Sequence, residues 1–138
     1  MIEEKLTKVK DMSDPMILAI DHVQLAMPPQ QEERAREYYR DLLGLQEVPK
    51  PEALALRGGC WFQSGRVAVH LGVQEDFVPA KKAHPAFIVS DLDALKERLE
   101  SAGYEVIVDT SVPSVKRFHT ADPFGNRLEF IQEGQSFE

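Results

Sequence analysis

The sequence has few of the features that mark disulfide-bonded or membrane-spanning proteins. Cys60 is its single cysteine, and no apolar run reaches the ~20 residues that a membrane-spanning helix needs. A lone thiol excludes an internal disulfide, which fits a reducing, cytoplasmic location. The amino terminus lacks the apolar core of a signal peptide, and no membrane partner is expected. We interpret Cys60 as a small buried apolar residue rather than a nucleophile.

Positive charge is also scarce. The 138 residues include 16 Lys and Arg against 23 Asp and Glu, for a formal net charge of −7. No basic run or alternation of basic and aromatic residues is present, so a nucleic-acid partner is not expected. The 43% hydrophobic and 28% charged residues are typical of an ordinary globular domain.

The chain divides into two halves of similar length. We predict an extension over residues 1–15, a first half over 16–74, a proline-containing linker over 75–82, a second half over 83–133 and a tail over 134–138. Strand alternation and helical spacing predict the elements of the two halves. In the first half these are strands 17–27, 45–48, 54–63 and 66–73 with helix 31–43; in the second they are strands 84–90, 104–109, 115–121 and 126–132 with helix 91–102.

Both halves therefore read βαβββ, which suggests an internal duplication. His22 precedes His84 by 62 residues, while Gly44 precedes Gly103, and His70 precedes Glu129, by 59. Each glycine stands where a helix is expected to end in a left-handed turn. A nearly constant offset between corresponding elements is typical of a repeat. The predicted fold class is α+β, with two tandem modules whose sheets curl around one cleft.

Four side chains that can ligate a metal occupy corresponding strands of the two halves. They are His22, His70, His84 and Glu129, and each alternates with aliphatic residues that face the predicted core. A carboxylate such as Glu129, between Leu128 and Phe130, either faces water or is buried with a partner, because burying an unpaired charge is costly. Imidazole and carboxylate donors suit one divalent Zn, Ni, Fe, Mn or Co ion. Such an ion could activate neighbouring substrate oxygens as a Lewis acid.

Four segments together resemble one known family: DHVQL at 21–25, HLGV at 70–73, HPAFIVSDLDAL at 84–95 and DPFGNRLEF at 122–130. They are similar to the vicinal oxygen chelate superfamily, also described as the glyoxalase, bleomycin-resistance and dioxygenase family, over about residues 17–132. The resemblance implies paired βαβββ modules, a small-molecule substrate and a homodimer. It also implies metal ligands from the first and fourth strands of each module, which are His22, His70, His84 and Glu129.

The resemblance leaves the reaction open. Glyoxalase I enzymes usually have a carboxylate where this chain has His70, and Glu129 is then the single acid among the ligands. A metal-dependent lyase or isomerase of glyoxalase type is our expectation, ahead of a dioxygenase. The alternatives are a bleomycin-resistance-like binder of a small molecule and a module in which the metal has a structural role alone.

Further residues are predicted to border the site. Glu129 and His119 are candidates for moving a proton, and Arg117 and Arg127 for holding an anionic substrate. Trp61, Gln24 and Arg57 complete the predicted substrate-binding set.

Overall fold

The structure is a computed structural model that describes residues 12–137. Residues 1–11, most of the predicted extension, lie outside the described part, as does residue 138. The first module contains β1 (Val23–Met27), α1 (Glu32–Ala35, continued by the π-helical segment Arg36–Leu42), β2 (Gln46–Val48), a 3-10 helix (Glu52–Arg57), β3 (Cys60–Ser64) and β4 (Val67–Val73). The second contains β5 (Ala86–Val89), α2 (Leu92–Ser101), β6 (Ile107–Asp109), β7 (Arg117–Ala121) and β8 (Arg127–Gln132). Within residues 12–137, none of the helices combines the length and the apolar character that a bilayer crossing requires.

Each module forms one four-stranded sheet, and the two sheets have the same topology. The strand orders are β1-β4-β3-β2 and β5-β8-β7-β6. In each sheet the first and fourth strands pair in parallel, while the other pairs are antiparallel. The predicted duplication of a βαβββ module is therefore confirmed.

The two helices begin and end near the residues that the sequence indicates. Tyr38 and Tyr39 are fully buried on the face that α1 and its π-helical continuation turn to the core. Gly44 follows with a φ of +79°, a left-handed conformation that glycine adopts without steric cost. At the start of α2, the Asp91 carboxylate accepts a hydrogen bond from the Ala94 amide at 3.0 Å, which satisfies a free N–H group of the first turn.

One hydrophobic core joins the two modules. The Tyr38 ring meets the edge of Tyr104 at a centroid distance of 4.9 Å, and Tyr39 Oη donates to Asp122 at 2.7 Å. Asn126 Nδ2 donates to the Ala26 carbonyl at 2.8 Å. The turn that carries Asp122 and Asn126 thus ties the second module to the helix and first strand of the first.

The predicted strand over 54–63 is wrong in its first half. Residues Glu52–Arg57 form a 3-10 helix, and β3 begins at Cys60. Gly58 and Gly59 have φ values of +75° and +83°, which interrupt an extended backbone. Likewise β1 begins at Val23, so His22 lies just before the strand rather than within it.

Candidate metal centre

Glu129 lies on β8 between two core residues and faces the other side of the sheet. Leu128 and Phe130 are buried in the core. Glu129, on the opposite face, is also buried, with only 5% of its surface exposed. One carboxylate oxygen, Oε1, lies 2.9 Å from His84 Nε2, and Oε2 accepts a hydrogen bond from Arg117 Nη1 at 3.1 Å. The carboxylate is thus buried with partners on both oxygens, as the cost of an unpaired buried charge requires.

The balance of these contacts keeps Glu129 ionised. Burial opposes the charged form, but the hydrogen bonds from His84 and Arg117, with the positive charge of Arg117, outweigh it. The pKa of Glu129 is consequently lowered from its ordinary value.

A backbone carbonyl holds the His84 ring in one orientation. Its Nδ1 lies 2.8 Å from the Lys82 carbonyl oxygen, and because a carbonyl can only accept, Nδ1 carries the hydrogen. In the neutral ring, Nε2 is then a bare lone pair pointing at a carboxylate oxygen 2.9 Å away. Two acceptors at this distance repel unless a proton or a cation lies between them.

His119 completes a group of three possible ligands. It lies on β7 directly opposite Glu129, and it is 8% exposed. Its ring meets the His84 ring edge-on at a centroid distance of 5.7 Å. One ligand atom each from His84, His119 and Glu129 lies within 4.8 Å of the other two.

Asp109, which the sequence analysis did not single out, links His119 to Arg117. Its Oδ2 accepts from His119 Nε2 at 3.0 Å and lies 3.0 Å from Arg117 Nη2. Hydrogen bonds from the Ser111 side chain and backbone, and then from His119, hold the pKa of Asp109 well below its usual value. Asp109 is the last residue of the short strand β6, and nothing in its local sequence signals this cross-strand partner.

The two histidines of the first module form a separate pair. The rings of His22 and His70 stack at a centroid distance of 4.1 Å, and Trp61 stacks on His70 at 3.8 Å. Burial, and then the neighbouring His22, lower the pKa of His70 from its ordinary value. Asp21 lies 2.9 Å from His22 Nδ1. Of the four predicted ligands, the structure therefore brings His84 and Glu129 together, and leaves His22 and His70 outside their group.

A cleft of about 740 Å³ lies between the two modules. His22 and Gln24 line it from the first module, and His84 from the second. Arg57 is exposed at the end of its 3-10 helix and does not line this cleft.

The two predicted anion-binding arginines contact protein groups in this structure. Arg117 bonds Glu129, Asp109 and Ser111, and its side chain is 13% exposed. Arg127 Nη2 lies 3.4 Å from His119 Nδ1. Arg127 therefore has the weaker internal contact of the two.

Comparison with known proteins agrees with this architecture. A family model described as the Glyoxalase/Bleomycin resistance protein/Dioxygenase superfamily matches residues 19–130. A structure from Bacillus anthracis, whose description assigns it to the glyoxalase family, is 50% identical with a TM-score of 0.83, covering 86% of this chain and 98% of that one. The comparison with curated protein sequences finds no match.

Two more distant structures share the fold. Lactoylglutathione lyase from Agrobacterium tumefaciens is 20% identical with a TM-score of 0.65, covering 86% of this chain and 96% of that one. The antibiotic-binding protein TnmS3 from Streptomyces sp. CB03234 is 21% identical with a TM-score of 0.63, covering 87% and 100%. An enzyme and a binding protein thus have the same fold.

Proposed function

Since this chain belongs to the Glyoxalase/Bleomycin resistance protein/Dioxygenase superfamily, we propose that it is a metal-dependent enzyme acting on a small substrate with two neighbouring oxygens. The reaction is a lyase or isomerase step of glyoxalase type, with oxygenation as the lesser possibility. The observation that carries the proposal is the contact between His84 and Glu129.

The residues fit a divalent transition metal. His84 Nε2 and Glu129 Oε1 lie 2.9 Å apart, and both present lone pairs when the His84 ring is neutral, because the Lys82 carbonyl accepts the hydrogen of the opposite nitrogen. A hydrogen bond from a ring N–H to a backbone carbonyl is one of the common ways in which proteins orient a metal-ligating histidine. Imidazole and carboxylate donors suit Zn, Ni, Fe, Mn or Co.

We assign the metal ligands and the proton-transfer groups to the residues that the sequence predicts for these roles. The ligands carried over from the family resemblance are His22, His70, His84 and Glu129. When bound, the ion supplies Lewis acidity toward the substrate oxygens. Glu129 or His119 moves the proton.

The substrate-binding roles are assigned to residues of both modules. Arg127 and Arg117 stabilise negative charge, while Gln24 and Trp61 form the substrate-binding surroundings; Arg57, which does not line the cleft, has no role in this proposal.

We further propose that the chain acts as a homodimer. His22 and His70 lie outside the group formed by His84, His119 and Glu129, so a complete set of four family ligands requires a rearrangement or a second copy. Mixing His22→Ala with Glu129→Ala tests the second copy. Recovery of metal binding in the mixture, beyond that of either variant alone, is the expected result, whereas no recovery at any mixing ratio contradicts a shared site.

Metal analysis tests the enzyme proposal. We expect about one ion per chain after purification without chelators, and a sharp decrease in Glu129→Ala. The cobalt-substituted protein should change its visible spectrum when small chelators with two neighbouring oxygens are added. A spectrum that no such compound alters would contradict the catalytic proposal, because no position on the ion would then be open to substrate.

A binding protein without catalysis is the second candidate. In this structure Arg117 pairs with Glu129 and with Asp109, so each carboxylate has a cationic partner without an ion. The cleft of about 740 Å³ is also large enough for a drug-sized molecule. This candidate predicts that a ligand binds equally well to the metal-free protein and to Glu129→Ala.

We also propose a cytoplasmic location. A reducing, cytoplasmic environment is consistent with the single, buried Cys60. We propose that the small-molecule partner is a compound with two neighbouring oxygens.

A further inference from the structure

Each of the three possible ligands in the second module also bonds a polar group outside the trio. His84 Nδ1 donates to the Lys82 carbonyl at 2.8 Å, and His119 Nε2 donates to Asp109 at 3.0 Å. Glu129 Oε2 accepts from Arg117 at 3.1 Å. When His84 is neutral, these bonds leave one lone-pair atom on each side chain, namely His84 Nε2, His119 Nδ1 and Glu129 Oε1.

Strand register explains why these three side chains meet. His119 lies directly opposite Glu129 in the antiparallel β7–β8 pair, so their side chains share one face of the sheet. Ala86, two residues after His84, lies opposite Glu129 in the parallel β5–β8 pair. Strands β5 and β7 flank β8, so His84, just before β5, lies beside Glu129 on the side opposite to His119.

We propose that the second module by itself holds one divalent transition-metal ion within a single chain, through His84, His119 and Glu129. Two histidines and one carboxylate form a ligand set that leaves positions open on a six-coordinate ion. The inference rests on the proposed function for the presence of an ion. It names the ligands that one chain already brings together, whereas the four-residue set proposed above needs His22 and His70 from a rearrangement or a second copy.

The competing contacts of this cluster are weak or compatible with an ion. Arg127 Nη2 approaches His119 Nδ1 at 3.4 Å, near the outer limit of a hydrogen bond, so its displacement costs little. Arg117 occupies Glu129 Oε2 and leaves Oε1 free. Assigning His119 to the ion also leaves Glu129 as the group that moves a proton in the proposed reaction.

Titration with cobalt, followed by calorimetry and visible absorption, tests this assignment. His119→Ala should weaken cobalt binding by at least about tenfold, the loss that removing even an outer partner of a metal ligand produces. Asp109→Ala should weaken it by roughly the same factor, because Asp109 sets the His119 tautomer. Asp93→Ala removes an exposed carboxylate of α2 that is bonded to Lys116 outside the cluster; it is the matched control for Asp109→Ala and should change the affinity by less than about twofold, as expected for an independent site.

His119→Gln guards against a folding defect, because glutamine conserves much of the volume of the ring. Unchanged cobalt affinity in both His119 variants would overturn the inference, and so would a loss in Asp93→Ala as large as that in His119→Ala. Wild-type protein that binds no cobalt would remove the proposed metal-dependent function as well. Stoichiometric binding without a need for His119 would overturn this inference alone.

Discussion

Two neighbouring tyrosines offer a sharp test of how the core is stabilised. Tyr38 and Tyr39 are both fully buried in the segment after α1. Tyr39 Oη donates to Asp122 at 2.7 Å, whereas Tyr38 Oη has no hydrogen-bond partner in the part of the chain that the structure describes. The same change, removal of a hydroxyl by Tyr→Phe, should therefore have opposite effects at the two positions.

The size of the effect follows from the cost of each buried group. Tyr39→Phe removes a buried hydrogen bond to a carboxyl group and leaves an acceptor with one partner fewer, which costs about 2 kcal/mol. With an unfolding entropy of roughly 2 cal/mol/K per residue, the melting temperature should fall by about 7 °C. Tyr38→Phe removes an unpaired hydroxyl and should cost nothing, or stabilise the protein by up to about 1 kcal/mol.

Urea unfolding followed by circular dichroism measures both variants under the same conditions. A double-mutant cycle between Tyr39→Phe and Asp122→Ala should give a coupling free energy of about 1–3 kcal/mol. Equal losses in the two tyrosine variants, or a cycle without coupling, would refute the reasoning, because the hydroxyl–carboxyl bond would then contribute no specific stability.

Three further predictions concern Gly59, Cys60 and Asp122. A Cβ on Gly59, which has a φ of +83°, would overlap the Leu71 carbonyl. Gly59→Ala should therefore lower the free energy of unfolding, measured in urea, by about 3 kcal/mol. Gly65→Ala is the control, because φ is +56° but the space is open, and it should lower that free energy by about 1 kcal/mol. Burial raises the pKa of the Cys60 thiol to about 12, so a thiol reagent at pH 8 should react only as fast as the protein unfolds; immediate reaction would contradict a buried thiol. Burial, opposed by hydrogen bonds from Tyr39 and Asn126, raises the pKa of Asp122 above 3.8. Its contribution to stability is therefore present below that pH and is lost as the pH rises through the raised value, and the stability of wild type relative to Asp122→Asn should be greater at pH 4 than at pH 7.

Local patterns were sufficient for much of the fold. Alternation along the fourth strand of each module placed Val69 and Leu71, and then Leu128 and Phe130, in the core, and turned His70 and Glu129 to the opposite face. Gly44 marked the end of the first helix because an unstrained left-handed residue is needed there. These features depend on interactions between residues a few positions apart, so they can be recognised without the tertiary structure.

The glycines at 58 and 59 show where a local interpretation failed. The apolar residues of 54–63 suggested one strand, but the two glycines adopt φ values of +75° and +83°. Residues Glu52–Arg57 consequently turn as a 3-10 helix, and Arg57 lies away from the cleft. Glycine permits such φ values at any position, and the contacts around residues 58 and 59 determine that both adopt them here.

The sequence by itself determined which side chains can ligate a metal and which face of each strand carries them. The tertiary structure alone decided which of them meet. His84 reaches Glu129, His119 joins them in place of His70, and Asp109 and Arg117 orient the group. The physical reason is that side-chain alternation is a property of one strand, whereas the distance between ligands depends on strand register and on how two sheets pack, to which the whole chain contributes.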